Sequence, residues 1–532
     1  MSGLFKVLIA DAISADGLEP LRRDGRFDLI EHTGLKGEEL ALAIEPANAV
    51  IVRSSTRITR ESLKYAKNLQ VIGRAGVGVD NIDVEAATES GVAVLNAPAG
   101  NTISAAELTL ALLLALVRKV PAADRSMRAG EWDRKSFNGT ELYGKTLGLV
   151  GAGRIGTEVA RRARAFDMHV LAYDPYLTAE RAAALEMEIG TLDDVLRRAD
   201  VITLHVPFTE ATANLIGDAQ FRIMKPSVLI VNAARGGVVN EAALQRALAE
   251  KRVAGAALDV YEEEPLPADH PLRSLANVVL TPHLGAATAE AQQNVALEIA
   301  EAVRAALIDG DLSRAVNAPA IGGEHMRKLR PLLVLAEQLG RLAAALTTGA
   351  PERLEVRYGG TLADAARPLT SSALVGVLSE IVGRHGVNFV NAIHLAEARG
   401  IQLERANINT HRDYGEYLEL RLSSQLHKTV VAGALLSEQH SRVVRINGFH
   451  VDVQPRGTLL VLRNRDVPGV IGRVGTLLGN ASINIGEYHQ ARLEAGGEAL
   501  AAVTVDGRVD AQVLDQLGAL PEVIDVCQAH LD

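Results

Sequence analysis

The chain has 532 residues and a single cysteine, Cys527. One thiol excludes a disulfide framework and a thiolate zinc site within the chain, and no metal centre is expected. Aromatic residues are only 3% of the sequence, while apolar residues reach 48%. The core must therefore be aliphatic, and the chain is globular rather than disordered. Positive charge is not in excess: 55 Lys and Arg stand against 65 Asp and Glu, a net charge of −10 with mixed signs. That speaks against a nucleic-acid partner, which calls for a basic face. The longest apolar stretch, LTLALLLALV at 108–117, is too short to span a bilayer, so no membrane association is expected. The opening MSGLFKVLIADAIS lacks the pattern of a signal peptide, and a cytoplasmic protein is the expectation. Low-complexity tracts and solenoid repeats are missing as well.

What is present is a rhythm. VLIAD (7–11), AVIV (49–52), LQVIG (69–73) and VAVLN (92–96) are short apolar runs separated by amphipathic segments, the first of them capped by Ser14. SAAELTLALLLALVRKV (104–120) predicts one long helix, with Ser104 and Glu107 as a capping box. Six further runs follow: 147–150, 169–174, 201–206, 227–234, 253–260 and 277–283. Such alternation predicts parallel sheets covered by helices on both faces. A small-residue linker at 310–325 leads to a mixed region, 326–452, and then to a strand–helix–strand–strand–helix–strand order over 457–532. The expected fold class is α/β, with two doubly wound Rossmann-like domains, then an α+β domain, then a ferredoxin-like βαββαβ unit.

The most specific motif is LGLVGAGRIG. Gly151 permits a tight turn after a strand, Gly153 lets the backbone approach a pyrophosphate, and Gly156 lets helix and strand pack closely. The free N–H groups of the following helix favour phosphate. Asp174 ends the next run, 18 residues after Gly156. A carboxylate there accepts hydrogen bonds from a ribose hydroxyl and repels a 2′-phosphate, which predicts NAD rather than NADP.

Three residues stand at strand ends or in the loops after them: Arg235, Glu264 and His283. Carboxyl ends of parallel strands are where such folds bind ligands. Each residue alone reads as a surface charge or a satisfied loop residue. Together, behind a dinucleotide fingerprint, they match the needs of 2-hydroxy acid oxidation. A histidine takes the hydroxyl proton, a carboxylate fixes its tautomer and raises its pKa, and a guanidinium grips the substrate carboxylate.

NAARGGVVNEAAL, GAALDVYEEEPLP and TPHLGAATAEAQ resemble signatures of the D-isomer-specific 2-hydroxyacid dehydrogenases. RAGVGVDNID (74–83) and NAPAGNTISAAE (96–107) resemble the phosphoglycerate dehydrogenase branch, in its long form with intervening and ACT domains. The resemblance implies a substrate domain drawn from 1–97 and 286–315, a nucleotide domain at 98–285, an intervening domain at 317–452 and an ACT domain at 457–532. It makes Arg235, Glu264 and His283 the catalytic set. It adds Arg154, Ile155, Pro207, Ala233 and Asp259 to the NAD contacts, and counts Arg235 and His283 among them as well. The implied reaction is NAD-dependent oxidation of 3-phospho-D-glycerate to 3-phosphonooxypyruvate, the opening step of the phosphorylated route to L-serine.

Arg53 and Arg74, with a backbone nest around Gly76 and Val77, suit a dianionic phosphate better than a methyl group. Arg134, in EWDRKSF, is implied to reach the substrate of a neighbouring subunit, with Trp132 as an interface anchor. Asn464, Asp466 and Asn484 match positions implied to hold L-serine as an effector. Arg445 and His450 are candidates for an anion site in the intervening domain. A homo-oligomer is implied, a tetramer before a dimer. Two other readings stand beside this one: a dehydrogenase-like NAD(H)-sensing corepressor, and a dehydrogenase for another 2-hydroxy acid, with reduction of 2-oxoglutarate as a side activity.

Overall fold

A computed structural model describes residues 4–362, 364–408, 414–437 and 440–532. Short buried runs near the amino terminus form a five-stranded parallel sheet. From edge to edge it reads Phe27–Glu31, Phe5–Ile9, Ala49–Val52, Val71–Arg74, Ala93–Asn96. The chain order reverses beside Phe5–Ile9, so the loops after Ile9 and Val52 flank a crevice. AVIV is buried at every position because both faces are covered. Leu8, Val50, Ile72 and Val94 pack on Leu40 and Ile44. The other face is closed by a distant segment: Val295, Ile299 and Val303 of helix Ala289–Asp309 share a core with Val7, Ile51 and Val71. The chain thus leaves this sheet and returns to it.

Between those visits it builds a seven-stranded parallel sheet. The order is Val278–Leu280, Gly255–Leu258, Leu229–Asn232, Val201–Leu204, Thr146–Val150, His169–Tyr173, Glu188–Ile189. This is a doubly wound sheet whose switch point lies beside Thr146–Val150, the strand that feeds the glycine loop.

A six-stranded mixed sheet follows, Gln402–Asn407, Arg353–Gly359, Glu416–Ser423, Lys428–Ser437, His440–Ile446, Phe449–Val453. Helices Gly323–Leu346 and Ala366–Val382 share its core. The last unit is a four-stranded antiparallel sheet, Ile485–Arg492, Glu498–Val505, Thr458–Arg465, Val523–His530. Its strands alternate between two cores. Leu460, Leu462 and Val503 pack on the helices Val470–Asn480 and Ala511–Gly518. Leu459, Val461 and Ala502 join the core of helix Gly323–Leu346 instead. The two carboxy-terminal sheets are therefore joined by one continuous apolar interior. Among the described residues, no helix is long and apolar enough to cross a membrane.

Several local expectations differ from the structure. The long helix forms as Thr102–Val117, ending three residues early, and a second helix, Val120–Arg128, follows it. Pro121 has no N–H with which to continue the first helix, and Lys119 turns left-handed at φ 53° between the two. Ser104 and Glu107 form no capping box. Helix Thr102–Val117 starts after Asn101, and the Ser104 hydroxyl pairs with the Thr288 hydroxyl at 2.7 Å. Ser14 caps nothing, since the chain passes through the 3-10 turn Asp16–Leu18 before helix Glu19–Arg22. In the mixed region, strands His440–Ile446 and Phe449–Val453 form a hairpin, with Asn447 and Gly448 in the tight turn and Asn447 at φ 50°. The mixed region also contains helix Ala392–Ala398 and strands Gln402–Asn407 and Lys428–Ser437.

Candidate active site

The carboxyl ends of the two parallel sheets face one cleft of about 570 Å³. Arg53, Arg74, Val77, Gly153, Arg154 and Ile155 line it. So do Pro207, Ala233, Arg235, Glu264 and His283. The two halves of this set come from different sheets, as expected where ligands lie outside the carboxyl ends of strands.

The glycine loop has the shape its sequence predicts. Gly151 sits at φ +97°, a conformation that disfavours any side chain. A Cβ on Gly156 would collide with the Gly151 carbonyl oxygen, whereas one on Gly153 would meet nothing within 4 Å. Gly153 is thus open to the cleft at the start of helix Arg154–Arg164, a ready anion site. Asp174 stands beside it: its Oδ2 accepts the Ala152 N–H at 2.8 Å and its Oδ1 accepts the Tyr176 N–H at 2.8 Å. Each oxygen keeps acceptor capacity for a ribose hydroxyl. Removing this carboxylate should narrow the preference for NAD over NADP by about 1–3 kcal/mol. Comparison of kcat/KM for the two cofactors in Asp174→Ala checks this; an unchanged ratio takes Asp174 out of the ribose site.

His283 and Glu264 form a dyad, with Nδ1 2.7 Å from Glu264 Oε2. The hydrogen bond to Glu264 raises the His283 pKa above its ordinary value, against burial and the Arg235 charge. Burial pushes the Glu264 carboxyl up, but the bond and charge of His283, the Tyr261 N–H and Arg235 outweigh it and hold it below the ordinary range. The Tyr261 N–H donates to Glu264 Oε1 at 3.1 Å. His283 itself sits at φ 55°. Its turn is pinned by Asp259, which is fully buried behind the cleft. Asp259 Oδ1 accepts the Leu284 N–H at 2.7 Å and the Thr281 hydroxyl at 2.6 Å, and Oδ2 accepts the Gly285 N–H at 2.9 Å.

Three guanidiniums converge in the cleft. Burial, followed by repulsion from Arg235 and Arg53, pushes Arg74 down to about 10. Its buried Nε has no hydrogen-bond partner among the described residues. Gly76 lies directly against the Arg74 guanidinium. Arg53 is held at the switch point by Asp11, whose Oδ2 accepts the Arg53 backbone N–H at 2.6 Å. Arg235 Nε lies 3.5 Å from Asp80 Oδ2, the one ion pair it makes among the described residues. A cluster this rich in positive charge attracts anions.

Other sequence candidates lie elsewhere. Arg134 and Trp132 are exposed and do not line the cleft of their own chain. Asn464 is fully buried, with its Nδ2 donating to the Arg465 carbonyl at 2.8 Å. Asp466 Oδ2 faces Arg492 at 3.3 Å, and Asn484 donates to Asp506 at 2.9 Å. Arg465 pairs with Glu498 and Ile485 with Val505, so Asp466 and Asn484 stand at opposite ends of the sheet, about 24 Å apart. Arg445 is tied to the Asn447 carbonyl at 2.9 Å and to Glu419 at 3.4 Å, and His450 is exposed on the neighbouring strand.

Comparison with known proteins agrees with this construction. Residues 110–285 match the NAD binding domain of the D-isomer specific 2-hydroxyacid dehydrogenases. Residues 328–447 match the D-3-phosphoglycerate dehydrogenase intervening domain, and 458–522 the ACT domain. The chain is 42% identical to D-3-phosphoglycerate dehydrogenase of Archaeoglobus fulgidus over 99% of its own length and 100% of the relative's. The chain belongs to the D-3-phosphoglycerate dehydrogenase family. The enzyme of that name from Methanocaldococcus jannaschii is also 42% identical, over 99% of this chain and 100% of its own. The crystal structure of the TT0316 protein from Thermus thermophilus is similar at 37% identity and a TM-score of 0.53. It covers 59% of this chain and 100% of that one.

NAD is the cofactor of this dehydrogenase, and the open Gly153, the helix N-terminus and Asp174 fit it. Two cleft residues of the dehydrogenase escaped the sequence reading. His205 lines the cleft with Nε2 2.9 Å from Thr203 Oγ1, and burial pushes its pKa down to about 4, so it is neutral. Asn101 presents a buried Oδ1 without a partner among the described residues. Both stand at the ends of elements, His205 just past strand Val201–Leu204 and Asn101 just before helix Thr102–Val117. Position at a strand end is the signal that could have found His205.

Proposed function

We propose that this family member oxidises 3-phospho-D-glycerate to 3-phosphonooxypyruvate, the first step of a phosphorylated route to L-serine. The observation that carries the reading is the meeting of the His283–Glu264 dyad with Arg53, Arg74 and Arg235 beside the glycine loop. Glu264 accepts the Nδ1 proton of His283, which leaves Nε2 as the base for the C2 hydroxyl. NAD, held by the glycine loop and Asp174, would supply the hydride acceptor for the same carbon. Arg235 holds the substrate carboxylate, and Arg53 and Arg74 hold the phosphate. The substrate loses one hydride and one proton, and His283 keeps the proton until solvent removes it. In reverse, a second carboxylate on the same two arginines would admit 2-oxoglutarate.

A second copy of the chain completes two features. Arg134 is exposed, and the segment that carries it, 120–143, also exposes Val120, Met127, Trp132 and Tyr143, which suits an interface. Asp466 and Asn484 are too far apart to share one ligand within a chain. An L-serine site built from both therefore joins two ACT units, and a tetramer would hold both kinds of contact. The test is NADH formation from 3-phospho-D-glycerate and NAD, with and without L-serine. Turnover suppressed by serine supports substrate and regulation together. Turnover without suppression removes the serine site, and absence of turnover with NAD still bound removes the substrate.

A further inference from the structure

The dyad depends on where the turn at 261–264 is held, and that turn is fastened from an element outside the cleft. Glu241 opens helix Glu241–Ala249, shortly after the turn that carries Arg235. Glu241 Oε1 accepts the Glu262 N–H at 2.6 Å, and Glu262 Oε1 accepts the Glu241 N–H at 2.9 Å. Glu241 Oε2 lies 3.1 Å from His270 Nε2. The Glu241 side of the exchange is shielded, since Glu241 is only 8% exposed. The same two turns touch again at Gly236, where a Cβ would collide with the Tyr261 carbonyl. Tyr261 passes the constraint on: its N–H reaches Glu264, and its hydroxyl donates to the Thr281 carbonyl at 2.8 Å, two residues before His283.

We propose that Glu241 is a positioning residue for hydride transfer: its buried carboxylate, locked between the Glu262 N–H and His270, sets the turn that presents Glu264 to His283 and ties it to the turn bearing Arg235. Glu241 does not line the cleft, so it acts through the turns that carry Glu264 and Arg235. The charged groups facing it are Glu262, Glu264 and His270. The proposal rests on the dyad being the acid–base pair, as in the reading above.

The test is the pH dependence of kcat/KM with whichever 2-hydroxy acid the wild type oxidises, so failure with 3-phospho-D-glycerate itself would remove only the substrate assignment. In Glu241→Ala, kcat should fall about ten- to a hundredfold, the scale of a displaced catalytic group. The KM for NAD should hold, and the acid limb should move to lower pH as His283 loses contact with Glu264. Glu241→Gln keeps the acceptor for the Glu262 N–H and should restore both kcat and limb. Glu262→Ala, at an exposed position, keeps the test decisive if Glu241→Ala does not fold; it should move the limb the same way by less. A folded Glu241→Ala or Glu262→Ala with the wild-type limb overturns the proposal, as does a Gln variant as impaired as the Ala variant.

Discussion

His283→Ala is expected to lower kcat by about 10²–10⁴-fold, the usual contribution of a positioned acid–base group, while the affinity for NAD survives. The imidazole touches Glu264 and the cleft, whereas the glycine loop and Asp174 follow two other strands, Thr146–Val150 and His169–Tyr173. The side chain is half exposed, so its loss leaves no large cavity. Because His283 occupies a left-handed conformation, Asn is a cleaner replacement than Ala; Asn adopts positive φ more readily. The pH profile sharpens the expectation. Oxidation needs a neutral base, and the Glu264 hydrogen bond raises the His283 pKa. Oxidation should therefore rise with pH through a value above the ordinary histidine pKa, and reduction should fall through the same value. Glu264→Gln should move that limb to lower pH. The same bond stabilises the fold below the unfolded histidine pKa, and that contribution is lost as pH rises through the raised one. Steady-state kinetics with NAD-binding titrations checks the prediction; lost NAD affinity with intact kcat would contradict the assigned role.

Arg74→Ala should raise the KM for 3-phospho-D-glycerate by about 10–100-fold, the scale of a charge-assisted hydrogen bond of roughly 1.5–3 kcal/mol. It should leave reduction of an unphosphorylated 2-oxo acid such as glyoxylate largely unchanged. The reason lies in the surroundings of the guanidinium. Arg74 is partly desolvated, lacks a protein partner at Nε among the described residues and is repelled by Arg53 and Arg235. An arriving anionic group gives the guanidinium a partner and offsets the repulsion, so the gain on binding is confined to substrates that carry a second anion. The same argument gives a stability sign: Arg74→Met removes a poorly compensated charge and should not lower the melting temperature. Kinetics on the two substrates and a melting curve decide the matter. Equal losses on both substrates would make Arg74 a general structural group rather than the phosphate contact.

Much of this was legible in the sequence, and the particular residues show why. The buried parallel strands are short runs such as AVIV, and the glycine loop is a local motif whose steric demands act within six residues. Fold class, cofactor and the dyad follow from such local signals, each read at a strand end. Other features depend on residues far apart in the chain. The family resemblance implies that 286–315 returns to the first domain, but the face that helix Ala289–Asp309 covers there, beside Val7 and Ile51, is defined only in the fold. The shared core of the intervening and ACT sheets follows from Leu459 and Val461 facing one way and Leu460 and Leu462 the other. Strand alternation predicts two faces but not what covers them. The separation of Asp466 from Asn484 follows from antiparallel register, which spacing along the chain does not reveal.

The sequence by itself therefore determined which chemistry this protein carries, because glycine sterics and the choice of His, Glu and Arg at strand ends are set residue by residue. The tertiary structure alone decided how that chemistry is held. Asp259 behind His283, Glu241 behind Glu264 and the mutual repulsion around Arg74 are relations between distant segments, and burial, hydrogen bonding and Coulomb energy are defined only once those segments meet.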